Sequence, residues 1–230
     1  MSRSGNHGVI RWIVSHYEEN GYTVHFYNNT VTPFLEHLNF IIPHVDKSVK
    51  KVFLVSFEDI VINERFSKLS SIADHNILLV RDPANLFASR IVGLAPDRGI
   101  SLPNTASATE RIAAAEATDK VLPRQIQNYM NHYEEFSGKT NFLANKICIN
   151  YASWVKKEPY RREIINDRLG LKFSDSRYKN RAGSSFGNPP SSIEEYFDRW
   201  KSCWDSFVYD KVRKNPELMR ISREFGVCPE

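Results

Sequence analysis

Residues 76–89 read NILLVRDPANLFAS, and their order predicts a buried strand that turns directly into a helix. The apolar run Asn76–Val80 is typical of a strand covered on both faces. Pro83 has the fixed backbone angle that suits the first position of a helix. Arg81 would then lie at the strand end, with Ser89 about two helical turns further on. A cation at the strand end and a hydroxyl in the helix that follows predict a site for an anionic group.

Segments on both sides of this unit repeat the same strand and helix alternation. This pattern predicts an α/β protein with a three-layer α/β/α architecture around a central, mainly parallel sheet. A single domain, residues 1–230, is the expectation for a chain of this length. The other predicted strands are Tyr22–Tyr27, Lys51–Ser56 and Lys146–Tyr151. The predicted helices are Asn6–Asn20, Ile60–Ala73, Pro83–Val92, Thr109–Phe136 with a kink or break at Pro123, Lys157–Leu169, Ile193–Tyr209 and Val212–Phe225.

A second polar turn, Arg3-Ser4-Gly5-Asn6-His7-Gly8, leads into the first helix. Backbone N–H groups at such a helix start attract anions, and the helix dipole adds to the attraction. The usual nucleotide-hydrolase pattern G-x-x-x-x-G-K-[ST] is absent from the sequence. We therefore expect an anion-binding loop that works without a metal ion. Two such sites on one sheet suggest a ligand with two separated phosphate groups.

Composition narrows the class of protein. The net charge of +4 is mildly basic and fits an anionic ligand, but the chain lacks the dense Lys and Arg runs of a nucleic-acid binder. The three cysteines have no metal-ligand spacing, and such a sparse, odd number is typical of a reducing compartment. No transmembrane segment or secretory signal is evident. These features predict a cytoplasmic protein with no nucleic-acid partner; its oligomeric state is not predicted.

The order and spacing of these residues resemble the sulfotransferase family, which uses 3′-phosphoadenosine-5′-phosphosulfate (PAPS) on a P-loop NTPase-like fold. The family loop [KR]-[ST]-G-[TS]-[TN] is similar to residues 3–7 here. The resemblance implies that Arg3, Ser4, Gly5, Asn6, His7 and Gly8 hold the 5′-phosphosulfate. It also implies that Arg81 and Ser89, which have the family's spacing, hold the 3′-phosphate. The implied product is adenosine 3′,5′-bisphosphate, and no metal is implied.

Two later elements extend the resemblance. Tyr151 follows the last predicted strand and corresponds to a family tyrosine near the adenine. Arg181 and Gly183 match a loop that closes over the 3′-phosphate, while Gly187 falls one position late in that pattern. Tyr151, Arg181 and Gly183 are therefore expected to bind the cofactor.

Sulfuryl transfer also requires a base, because the acceptor hydroxyl or amine must lose a proton. In the family this base is a His or Glu at the end of the strand before the arginine strand. The resemblance implies Glu58 as the base, with Asp59 as the alternative. Arg3 would be the second catalytic residue, because its charge stabilises the departing phosphate. The acceptor is not specified by the sequence, and a carbohydrate or a lipid fits as well as a small molecule.

The sequence departs from the family at three positions. No strand precedes Arg3, whereas the family loop follows a buried strand, so either the given start lacks that strand or the sheet is built without it. Gly8 stands where many relatives have an adenine-stacking Trp, and Phe57 stands where a lysine often precedes the base. Two other functions stay open. The chain could be a P-loop nucleotide kinase or hydrolase, which would need Mg²⁺ and a loop lysine. It could also be a nucleotide-binding module without catalytic activity.

Overall fold

The structure is a computed structural model, and it describes residues 6–28, 50–57, 60–93, 110, 122–174, 194, 197–206 and 209–227. The strands are β1 (Thr23–Tyr27), β2 (Lys51–Val55), β3 (Asn76–Val80) and β4 (Lys146–Asn150). The α-helices are α1 (Asn6–Glu19), α2 (Glu64–Ser70), α3 (Pro83–Gly93), α4 (Leu122–Phe136), α5 (Tyr151–Lys156), α6 (Glu158–Glu163), α7 (Asp210–Arg213) and α8 (Pro216–Glu224). No helix within these ranges is both long and apolar enough to cross a membrane.

The strands are parallel and pair two by two. β1 pairs with β2, and β3 pairs with β4 so that Asn76 lies opposite Lys146 and Val80 opposite Asn150. The α/β class and the parallel strand direction are therefore confirmed. The prediction of one central sheet is not, because the described strands form two separate two-stranded sheets.

Each strand pair contributes side chains to the same two apolar clusters. In β3, Leu78 and Val80 belong to a cluster built with α3, α4 and α8, whereas Ile77 and Leu79 pack against a second cluster built with α1, α5 and the π-helical segment Ile164–Arg168. The alternation follows from the strand geometry, which sends successive side chains to opposite faces. Leu54 in β2 packs against the second cluster as well. Both faces of β3 are therefore covered, as its uninterrupted apolar sequence predicts.

Several predicted helices are shorter than expected. The predicted helix Val212–Phe225 is divided into α7 and α8, because Pro216 cannot continue a helix and instead opens a new one. Asn215 caps this new start by accepting hydrogen bonds from the Glu217 and Leu218 amides.

Three other helix predictions also need correction. The predicted helix Ile60–Ala73 is limited to α2, Glu64–Ser70, which Asn63 caps by accepting a hydrogen bond from the Phe66 amide. The last part of the predicted helix Ile193–Tyr209 contains a 3₁₀ helix, Arg199–Cys203, followed by turns. The predicted helix Lys157–Leu169 begins as α6 and ends in a π-helical segment, Ile164–Arg168.

Candidate functional site

Seven residues predicted for the site or as the base lie outside the described residues: Arg3, Ser4, Gly5, Glu58, Asp59, Arg181 and Gly183. Asn6 begins α1, His7 is exposed and Gly8 is half-buried. The remaining predicted residues, Arg81, Ser89 and Tyr151, are all buried. The part of the predicted site that the structure describes is therefore Arg81, Ser89, Tyr151 and the start of α1.

Arg81 lies directly after β3, as the sequence predicts, and only 4% of its surface is exposed. Every residue from Arg81 to Arg90 is buried, so α3 carries Ser89 inside the protein. The Arg81 Nε atom lies 3.9 Å from an oxygen of Asp82. A buried arginine is costly unless it has anionic or hydrogen-bonding partners. Arg81 and Asp82, directly after β3, therefore form a polar site within an apolar core.

Asp82 fixes the start of α3. Its Oδ1 atom accepts a hydrogen bond from the Asn85 amide at 2.8 Å and another from Asn85 Nδ2 at 3.1 Å. Asn85 Nδ2 also donates to the Phe197 carbonyl at 2.6 Å, and Asn85 Oδ1 accepts from the Trp200 amide at 3.2 Å. The Asp-x-x-Asn spacing is a helix-capping pattern that could have been recognised in the sequence. The link to Phe197 and Trp200 could not, because it joins distant parts of the chain.

Three further hydrogen bonds hold the backbone around Arg81. Tyr129 donates its hydroxyl to the Arg81 carbonyl at 3.0 Å, and Tyr209 donates to the Ala84 carbonyl at 3.1 Å. The Ala84 amide donates to Ser222 Oγ at 3.2 Å. All three side chains are buried, so the turn between β3 and α3 is held from α4 and from the C-terminal region. Such a turn can present a side chain in one geometry.

Burial and nearby charges shift the pKa values of three groups in this region, Asp82, Tyr129 and Tyr209. Burial raises the pKa of Asp82, and the positive charge of Arg81, the hydrogen bonds from Asn85 and the charge of Lys156 oppose the rise. The pKa of Tyr129 and that of Tyr209 are raised well above the usual value, first by burial and then by the Asp82 charge. Both phenols therefore stay protonated and keep donating to the backbone.

Lys156 is a cation at this site to which the sequence analysis gave no role. It ends α5, is exposed, and holds its Nζ atom 4.2 Å from the centre of the Phe197 ring. The Phe197 carbonyl is the group that accepts from Asn85. Lys156 therefore brings an exposed positive charge to the same region as the buried Arg81.

Three aromatic residues connect Arg81 to α1, and we call Trp12, Trp154 and Tyr151 the aromatic bridge. The Arg81 guanidinium carbon lies 5.4 Å from the Tyr151 ring centre. The Tyr151 ring is 5.5 Å from that of Trp154, which in turn is 5.7 Å from that of Trp12. Trp12 is 4% exposed, so it serves as a core residue of α1. The bridge fixes the start of α1 relative to the end of β3.

Gly8 lies beside the aromatic bridge. A Cβ atom added at Gly8 would lie 3.6 Å from the Trp154 ring, an ordinary van der Waals distance, and the glycine does not have a positive φ. We expect Gly8→Ala to leave the fold intact and to stabilise it by up to ~1 kcal/mol, because alanine restricts the unfolded chain and favours helix. Urea unfolding of this variant measures the change.

Gly21→Ala is the matched control for this prediction. Gly21 has a φ of +82°, where a side chain is strained, so this variant is expected to lose stability. If Gly8→Ala is less stable than the wild type, the conclusion that the space beside Trp154 accommodates a Cβ atom is wrong.

Within the described ranges, no group of three or more His, Cys, Asp or Glu residues is placed to hold a metal ion. No protein-family model, curated protein or solved structure matches the chain significantly.

Proposed function

We propose that this chain is a sulfotransferase that moves a sulfuryl group from PAPS to a hydroxyl or amine acceptor, such as a carbohydrate or a lipid. The observation that carries the proposal is the buried Arg81 at the carboxyl end of a parallel strand, with its backbone held by Tyr129 and its helix by Asp82. Ligands of parallel α/β proteins bind at this end of the strands. A rigid arginine there suits a phosphate, which it can bind with two parallel hydrogen bonds.

The donor chemistry of the site fits the PAPS nucleotide. Arg81 and Ser89 offer a guanidinium and a hydroxyl from one strand-to-helix unit, and Lys156 adds an ammonium group nearby. The aromatic bridge ties this unit to α1, whose first residues, Asn6, His7 and Gly8, belong to the other predicted anion-binding turn. This connection supports the interpretation that both turns serve one ligand with two separated phosphates.

The arrangement of the strands is also compatible with the proposal. Two parallel strand pairs that share the same apolar clusters are compatible with the mainly parallel sheet of a three-layer P-loop-like fold.

Each residue then has a chemical task. The bound nucleotide supplies an activated sulfuryl group. Arg3 and the N–H groups of its turn stabilise the negative charge on the departing phosphate. Glu58, or Asp59 in its place, accepts the proton from the acceptor. Arg81 and Ser89 hold the 3′-phosphate, which positions the reacting end of the nucleotide.

Calorimetry with adenosine 3′,5′-bisphosphate in the presence of EDTA tests the proposed ligand. We expect binding without metal, and weaker binding of adenosine 5′-monophosphate, which lacks the group that Arg81 would hold. Binding of ATP only with Mg²⁺, and no binding of the bisphosphate, would contradict the proposal and favour a kinase or hydrolase.

Sulfate transfer from radiolabelled PAPS to a panel of sugar, lipid and amine acceptors tests the activity. Glu58→Gln is expected to bind the bisphosphate normally but to lose transfer by roughly 10²- to 10⁴-fold, the usual contribution of a general base. Asp59→Asn is the matched variant, and the opposite result for the pair would assign the base to Asp59. Bisphosphate binding without transfer to any acceptor would favour a binding module.

A further inference from the structure

Tyr151 begins a helix instead of ending a strand. β4 ends at Asn150, whose side-chain oxygen accepts a hydrogen bond from the Ser153 amide at 3.0 Å and so caps α5. The cap fixes the backbone of Tyr151, and only 1% of the residue is exposed. Its ring is therefore a rigid internal surface, packed on one side against Trp154.

The Arg81 guanidinium lies over this ring, 5.4 Å from its centre. This distance is within the range of a cation–π interaction, which strengthens when both groups are removed from water. The N–H donors of a guanidinium lie in its own plane, so the contact between Arg81 Cζ and the ring is compatible with hydrogen bonds from Arg81 to a phosphate. An arginine side chain has considerable rotamer freedom, and ordering it when a ligand binds weakens affinity.

We propose that Tyr151 is a positioning residue that holds Arg81 in the orientation needed for the 3′-phosphate, and that it acts on the nucleotide through Arg81 rather than through the adenine. The inference rests on the proposed function, because it assigns the 3′-phosphate to Arg81. Trp154 and Trp12 extend the support to α1, whose first residues belong to the other predicted anion-binding turn.

The test compares two ligands that share the adenine. In Tyr151→Leu, which removes the aromatic face, we expect the affinity for adenosine 3′,5′-bisphosphate to fall by roughly 3- to 30-fold. The affinity for adenosine 5′-monophosphate should be unchanged. Tyr151→Phe keeps the face and should bind both ligands as the wild type does. A similar loss for both ligands in Tyr151→Leu would overturn the inference and indicate an adenine contact.

A shape-preserving series keeps the inference testable even where Tyr151→Leu fails to fold. Phenylalanine analogues with increasing numbers of ring fluorines, placed at position 151, weaken the negative face of the ring with little change in its size. We expect a graded loss of bisphosphate affinity along this series, and a constant affinity would overturn the inference. Wild-type protein that binds both nucleotides equally would instead contradict the proposed 3′-phosphate site itself.

Discussion

Arg81→Ala is expected to weaken binding of adenosine 3′,5′-bisphosphate by roughly 30- to 150-fold, which corresponds to about 2–3 kcal/mol for a charged, two-point contact with phosphate. The effect should be large because Arg81 is buried, lies over Tyr151 and has its carbonyl held by Tyr129. Calorimetry measures the affinity. Binding of adenosine 5′-monophosphate should change little, because this ligand lacks the 3′-phosphate.

Two variants control the Arg81 result. Arg81→Lys keeps the charge but loses the planar donor pair, so we expect an intermediate affinity. Arg11→Ala removes an exposed arginine of α1 and should leave the affinity unchanged. Because Arg81→Ala also removes a cation beside the buried Asp82, urea unfolding must accompany the titration. A folded Arg81→Ala protein with wild-type affinity would contradict the proposed site.

Glu135→Ala is expected to destabilise the fold by about 3–5 kcal/mol, the usual cost of breaking a buried ion pair from one side. The fully buried carboxylate accepts from Lys146 Nζ at 2.8 Å and from Thr140 Oγ1 at 2.8 Å. It also accepts from the Phe142 and Leu143 amides at 2.9 and 3.1 Å. Glu135 thus joins the end of α4 to the turn before β4. Its loss removes the carboxylate that four donors share, and of these Lys146 Nζ keeps its 2.6 Å bond to the Glu135 backbone carbonyl. Urea unfolding measures the loss.

Glu134→Ala is the matched control for Glu135→Ala. Glu134 precedes it in α4 but pairs with the exposed Lys139, and a surface ion pair contributes at most about 1 kcal/mol. Similar destabilisation by the two variants would contradict the structural role of Glu135.

The same carboxylate gives the fold a sensitivity to acid. Burial alone would raise the pKa of Glu135, but the hydrogen bonds from Lys146, Phe142, Leu143 and Thr140 lower it below the ordinary value of 4.5. A pKa that is lower in the folded state adds stability above the unfolded value, and this stability is lost as the pH falls through the folded pKa. The free energy of unfolding of the wild type should therefore decrease as the pH falls below about 4.5. Glu135→Gln should lack the part of this decrease that comes from Glu135.

Local patterns in the sequence predicted the elements around the site well. The apolar run Asn76–Val80 and the following Pro83 correctly indicated β3 and α3, because strand burial and the helix-opening property of proline are local effects. The prediction of one helix over Val212–Phe225 was wrong because the helix-breaking signal of Pro216 was overlooked. The predicted strand Lys146–Tyr151 was one residue too long, because Asn150 caps a helix that begins at Tyr151. Whether Glu58 is the base stays a prediction.

The sequence by itself determined that strands alternate with helices and that Arg81 follows a buried strand, since both depend on residue order over a few positions. Only the tertiary structure decided that the strands pair as two sheets and that Tyr151 lies under Arg81. It also decided that Tyr129, Tyr209 and Ser222 hold the turn after β3. These three hydrogen bonds join residues 48 to 138 positions apart, and no local pattern encodes which distant side chain will pair with a buried backbone group.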